Sequence, residues 1–163
     1  MRVVVDTNVP VVANKASPQA SEACVIICGQ RLQDIQRYHI LVLDDGWHIL
    51  REYMDNLRSG GQPGTGDAFL KWTLTNRNNP QCCEQVHITP KDDPQDRGDF
   101  KEFPNDAAFV GFDRSDRKFV AVALTHPERP PILNAVDPDW WQYHDALTEH
   151  GIRLEFICPD AVP

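Results

Sequence analysis

The chain has 163 residues, 41% apolar and 25% charged, which suits one domain with a sizeable core. Its net charge of -8 excludes a protein that coats duplex nucleic acid through a basic face, since such binding needs many cations on phosphates. It leaves room for an enzyme that touches a few phosphates through metal ions. No stretch approaches the roughly 20 apolar residues of a membrane helix, and Asp6 comes too early for a signal-peptide apolar region. Five cysteines is an odd count, and Cys82 and Cys83 are adjacent, so the expectation is a reduced, cytoplasmic chain.

Residues 2–5, Arg-Val-Val-Val, form a β-branched run apolar on both faces, as in the centre of a parallel sheet. Residues 18–31 read as a helix, with Ala20, Ala23, Cys24, Ile27 and Cys28 three and four apart and Ser17 or Ser21 as cap. Ile40 to Leu43 is a second apolar run, ending in Asp44-Asp45. Trp47, Leu50, Met54 and Leu57 recur at helical spacing until Ser59-Gly60-Gly61 stops them. Asp67 opens a helix to about Asn76, and Val86–Thr89 is a weak strand.

Residues 90–106 are polar and carry Pro90, Pro94, Gly98 and Pro104, so they read as a long acidic loop. A helix follows from Ser115 through Leu124, then a strand over 131–136, a helix from Trp140 to His150 and a last strand over 152–157. Alternating strands and helices imply an α/β fold, a central parallel sheet with helices on both faces, in a single domain over 1–163.

Ligand sites of such sheets lie beyond the carboxyl ends of the strands. Asp6 and Asp137 stand at such ends. Glu52 sits on the helix after the second strand, and Asp116 opens the helix that carries Phe119. Carboxylates brought together repel one another unless a cation lies between them. All-oxygen ligands favour a hard cation, Mg²⁺ or Mn²⁺. Each acid also has a plainer reading. Asp6 suits a turn, Glu52 could pair with Arg51 or Arg58, and Asp116 suits a helix start. Of Asp137 and Asp139, Asp137 reads as the ligand and Asp139 as the cap of the Trp140 helix, with Asp139 a further candidate oxygen ligand.

These residues resemble the PIN-domain nucleases. The resemblance lies in Val4-Val5-Asp6-Thr7-Asn8-Val9, Glu52, Asp113-Arg114-Ser115-Asp116-Arg117-Lys118-Phe119, and Asn134-Ala135-Val136-Asp137-Pro138-Asp139-Trp140. It spans nearly the whole chain through the order of the elements. It implies a three-layer PIN-like sandwich and metal-dependent hydrolysis of single-stranded RNA by an acidic quartet of Asp6, Glu52, Asp116 and Asp137 with Mg²⁺ or Mn²⁺. Thr7 and Asn8 would match the polar pair beside the first Asp. The family also contains toxins, which leaves open a protein inhibitor (antitoxin) and a homodimer as partners. The chain departs from the pattern in its added length over 59–106, in lacking a Thr before Asp137 and in its acidity. The alternative is a PIN-like interaction module with an unused site. An aspartyl-nucleophile phosphatase also begins with a strand ending in Asp, but it needs a second Asp where this chain has Asn8.

Arg114, Arg117 and Lys118 are candidate phosphate contacts. They could equally be a basic patch offsetting the eight acids that residues 91–116 carry against four bases. That acidic loop could cover the site or meet a basic partner. Cys24 and Cys28 lack the spacing of a zinc module and read as core. Trp140 and Trp141 read as one core ring and one partly exposed ring, the latter open to base stacking.

Overall fold

The apolar runs become five strands: β1 (Arg2–Val5), β2 (Ile40–Asp44), β3 (Cys83–Val86), β4 (Ile132–Asn134) and β5 (Leu154–Phe156). A computed structural model describes residues 1–162. The strands lie in the order β3-β2-β1-β4-β5, every neighbouring pair parallel. Val3, Val4 and Val5 are fully buried, as an apolar run in the middle of a covered sheet must be. The helices are α1 (Asn8–Ala13), α2 (Glu22–Tyr38), α3 (His48–Asn56), α4 (Thr65–Asn76), α5 (Arg117–Thr125), α6 (Pro138–Gln142) and α7 (His144–Glu149). Helices α1, α2 and α4 pack together, and α3 packs with α5 against the sheet. The two groups of helices flank the sheet, giving an α/β three-layer sandwich. The chain leaves β1 toward β2 and later returns to β4 on the other side of β1. The switch point of the sheet therefore lies between β1 and β4, and in such sheets ligands bind beyond the carboxyl ends of the strands there.

Several elements differ from the sequence expectation. The third strand is Cys83–Val86 rather than Val86–Thr89, because Val86 pairs with Asp44 at the very end of β2 and later residues have no ladder partner. The second helix runs over 22–38, started by Ser21, whose Oγ accepts the Cys24 amide at 3.1 Å. The helix expected over 140–150 breaks at Tyr143 into α6 and α7. Helix α1, which the sequence reading did not name, follows directly on the Asp6-Thr7-Asn8 turn. Six residues are too few for a helix to stand alone, so packing makes it. Val9, Pro10 and Val12 are buried, and α4 comes so near that a Cβ on Gly66 would lie 2.0 Å from the Pro10 carbonyl. Asp67 joins the two helices, accepting from Asn14 Nδ2 at 2.9 Å and from the Arg58 and Gly64 amides.

The acidic loop is tied down. The Lys101 amide donates to the Thr89 carbonyl, and buried Asp99 lies between Lys91 Nζ at 2.8 Å and Arg117 Nη1 at 3.2 Å. Burial pushes the Asp99 carboxyl up, but the bonds from Lys91, the Phe100 amide and Arg117 outweigh it and hold it below its ordinary value. A depressed carboxylate contributes stability above the unfolded value near 4 and loses it as pH falls through the folded one. Asp99→Asn should therefore destabilise the protein at pH 7, with the gap to wild type closing in acid, as pH falls through the depressed value. Denaturant titrations at pH 7 and in acid check this, and a gap unchanged by pH would refute it.

The reduced-thiol expectation is overturned. Cys24 on α2 and Cys158, just past β5, form a disulfide, and the Cys28 thiol lies 3.8 Å from Cys158 Sγ. Cys24 is thus more than a core side chain. The pair is 134 residues apart, and no local spacing announces it. No helix among the described residues is long and apolar enough to cross a membrane.

Candidate metal centre

Asp6 leaves the end of β1 pointing into the crevice, almost wholly buried. Its Oδ1 accepts the Asn8 amide at 2.9 Å, and its Oδ2 accepts the indole Nε1–H of Trp140, a fully buried ring of α6. Asp116 arrives from the opposite direction as the residue before α5, 6% exposed. It sits at a helix N-cap yet makes no capping bond, while Asp113 Oδ1 caps the preceding 3₁₀ turn by accepting the Ser115 amide. Asp137 follows β4 and caps α6, its Oδ1 accepting the Asp139 amide at 2.9 Å. The cap role expected of Asp139 therefore belongs to Asp137.

One carboxylate oxygen each of Asp6, Asp116 and Asp137 lie within 4.8 Å of one another, and Asp113, Asp116 and Asp139 form a second such group sharing Asp116. Asp116 Oδ2 is buried with no hydrogen-bond partner among the described residues. A buried anion left unpartnered is costly. Burial, then the charges of Asp6 and Asp137, push the Asp116 carboxyl up to about 9. Burial likewise raises Asp6 to about 7, against the bonds from Asn8 and Trp140, and raises Asp137. Two ways out of this repulsion exist: protons, or a cation among the oxygens. The donors are all carboxylate oxygens, and one is unpartnered, so the cluster fits a hard divalent ion such as Mg²⁺ or Mn²⁺.

Glu52, on α3, stands beside this group rather than in it. Its Oε2 accepts the Thr7 hydroxyl, and its Oε1 lies 2.9 Å from Lys118 Nζ. Lys118, largely buried, also donates to the Ser115 carbonyl. The expected quartet is thus brought to one end of the sheet as three converging aspartates and a glutamate paired with a lysine.

The remaining candidates divide by what they touch. Thr7 holds Glu52. Asn8 holds the β4 turn, donating to Asn134 Oδ1 at 2.7 Å and accepting the Ala135 amide at 2.8 Å. Both ends of its side chain are engaged, so it shapes the crevice rather than facing a substrate. Arg114 donates to the Gln95 carbonyl at 2.7 Å, and Arg117 to Asp99 and to the Phe109 carbonyl. These two arginines hold the acidic loop, and the phosphate contacts expected of them are taken up by protein groups.

Two residues escaped the sequence reading as site-builders, Trp140 and Asn134. An indole N–H needs a partner when buried, and a Trp one turn after the strand-end acid was the available signal. Asp44 shows the opposite case. It also ends a strand, but its oxygens accept the Gly46, His48 and Ile49 amides, so it is only the cap of α3.

Fold and site together define an α/β protein with an oxygen-only carboxylate centre at the topological switch point of a parallel sheet. Compared with known proteins, the chain matches no family, no curated protein and no solved structure.

Proposed function

We propose that the chain is a PIN-like, metal-dependent endoribonuclease that hydrolyses phosphodiester bonds of single-stranded RNA. The observation that carries this is the buried Asp116 carboxylate, whose Oδ2 has no partner among the described residues and one of whose oxygens lies within 4.8 Å of oxygens of Asp6 and Asp137. Asp6, Asp116 and Asp137 would hold Mg²⁺ or Mn²⁺, with Asp113 and Asp139 next to them. A bound ion of this kind supplies Lewis acidity and lowers the pKa of a coordinated water.

The chain's own groups do the rest. Trp140 and the Asn8 amide fix the Asp6 carboxylate, so little reorganisation is left for the reaction. Thr7 and Lys118 fix Glu52, whose oxygens each keep a second lone pair. Glu52 can therefore orient the attacking water and accept its proton. The Lys118 ammonium sets a positive charge at the centre, the one of the three expected cations that lies there.

Single-stranded RNA is the partner this reading requires. A homodimer and a protein inhibitor of the antitoxin kind belong to the PIN resemblance alone. The thiol argument for a cytoplasmic location falls with the Cys24–Cys158 bond, and that location now belongs to the PIN resemblance alone.

Asp6→Asn and Asp116→Asn keep the shape and remove a ligand charge. Each should reduce cleavage of end-labelled single-stranded RNA in Mn²⁺ to background while circular dichroism stays that of wild type. Undiminished cleavage by a folded variant would assign the activity elsewhere. A second reading, an interaction module with an unused site, draws on Lys118, which already neutralises Glu52. Wild type inactive on RNA in both ions would favour it.

A further inference from the structure

Trp141 is the exposed member of the tryptophan pair, at 41%, while Trp140 is fully buried under the site. It does not stand alone. Its ring lies 5.6 Å from Phe156, at the end of β5, and 5.7 Å from His144, on α7, and those two rings lie 6.0 Å apart. Three aromatic rings thus form a surface cluster at the carboxyl end of the sheet, the end that carries the metal centre.

Its place relative to the acids follows from the short helix that carries it. Helix α6 is capped by Asp137, and Trp140, the residue before Trp141, reaches Asp6 through its indole N–H. The cluster is therefore carried by the same short helix that supplies two partners of the metal centre.

The charges near the centre sharpen the point. Arg114 and Arg117 are bonded to the acidic loop, Lys118 is paired with Glu52, and the whole chain carries -8. An RNA strand reaching this crevice finds few cations for its phosphates. The three cations expected to hold a strand here are already engaged, which shifts the load to other contacts.

We propose that Trp141, backed by Phe156 and His144, is the stacking platform for a base of the single-stranded RNA next to the scissile phosphate, and that stacking rather than phosphate contact supplies most of the binding. This rests on the nuclease reading above for the identity of the ligand. Stacking is tolerant of sequence because every base has a π-face, so the platform positions the strand without selecting a base. Trp141 is accordingly a positioning residue.

The probe is a uridine oligomer. With Mn²⁺ and cleavage as readout, Trp141→Ala should raise KM about 5- to 100-fold, with the loss in KM rather than kcat. Trp141→Phe should recover most of it. In EDTA, where no ion assists cleavage, the same oligomer should quench tryptophan fluorescence in wild type and bind Trp141→Ala more weakly by a similar factor. Binding should also fall with salt on a shallow logarithmic slope, about that of one phosphate.

If wild type cleaves and Trp141→Ala keeps its KM, the platform is wrong and the nuclease reading stands. If wild type does not cleave, the nuclease reading fails, and the titration in EDTA decides the platform alone, equal affinities refuting it. A steep salt slope, on the order of three phosphates or more, would mean the strand is held by charge and would also refute it.

Discussion

Millimolar Mn²⁺ should raise the melting temperature of the EDTA-treated protein by about 5–10 °C. A divalent ion binds Asp6, Asp116 and Asp137 in the folded chain and hardly at all when the chain opens, where they stand far apart. At 100 times the dissociation constant this linkage adds about 2.7 kcal/mol, and a chain of this size gains roughly 2–4 °C per kcal/mol.

The sign of the pH dependence follows from the raised carboxyls. Without metal, Asp6 titrates near 7 and Asp116 near 9, both above the ordinary value near 4. Between those limits the folded chain holds protons that the unfolded chain has released. Metal-free stability should therefore fall as pH rises from about 4 to 9. An ion competes with those protons, so its stabilisation should grow over the same range.

Asp116→Asn removes the most strongly raised carboxyl. It should flatten the EDTA profile, raise the metal-free melting temperature slightly and shrink the Mn²⁺ response. Melts of wild type and variant at pH 6 and pH 8, with EDTA and with Mn²⁺, give all three quantities. Equal Mn²⁺ responses in the two proteins would place the ion elsewhere, for instance on the acidic residues 91–106.

The second large effect concerns the Cys24–Cys158 bond. It closes a loop of 134 residues, most of the chain, and so restrains the unfolded state heavily. Losing such a cross-link costs about 2–5 kcal/mol, or a fall in melting temperature on the order of 5–15 °C. Cys158→Ser is the informative variant. In Cys24→Ser the Cys28 thiol, 3.8 Å from Cys158 Sγ, could take over the bond. Reductant should lower the wild-type melt to that of Cys158→Ser and leave the variant unmoved. A wild-type melt insensitive to reductant after unfolding and refolding in its presence would count against any stabilising role.

Much of the architecture was legible in the chain. The Val-Val-Val run of β1 and the Ile-Leu-Val-Leu run of β2 announce buried parallel strands because their apolar residues are continuous, a local property. Their alternation with helical periodicity implies the layered α/β class. Three of the four acids named from their positions at element ends, Asp6, Asp116 and Asp137, converge, since the end of a parallel strand is a fixed place in such a fold.

What each acid does there was decided by the partners it meets, near or distant in sequence. Asp44 ends a strand just as Asp6 does, yet it caps α3, while Asp6 meets Trp140 from 134 positions away. Glu52 turned out to be held by Thr7 and Lys118, and Arg114 and Arg117 to hold a loop. The disulfide and the short helix α1 belong to the same class.

The sequence by itself determined the class of fold, the strands of its centre and the end of the sheet where carboxylates gather, because periodicity and strand ends are written in neighbouring residues. Only the tertiary structure decided which carboxylates remain without a partner, which cations are already engaged and which cysteines meet. Those outcomes depend on contacts between residues as far as 134 positions apart, and a lone side chain carries no local sign of the group it will face.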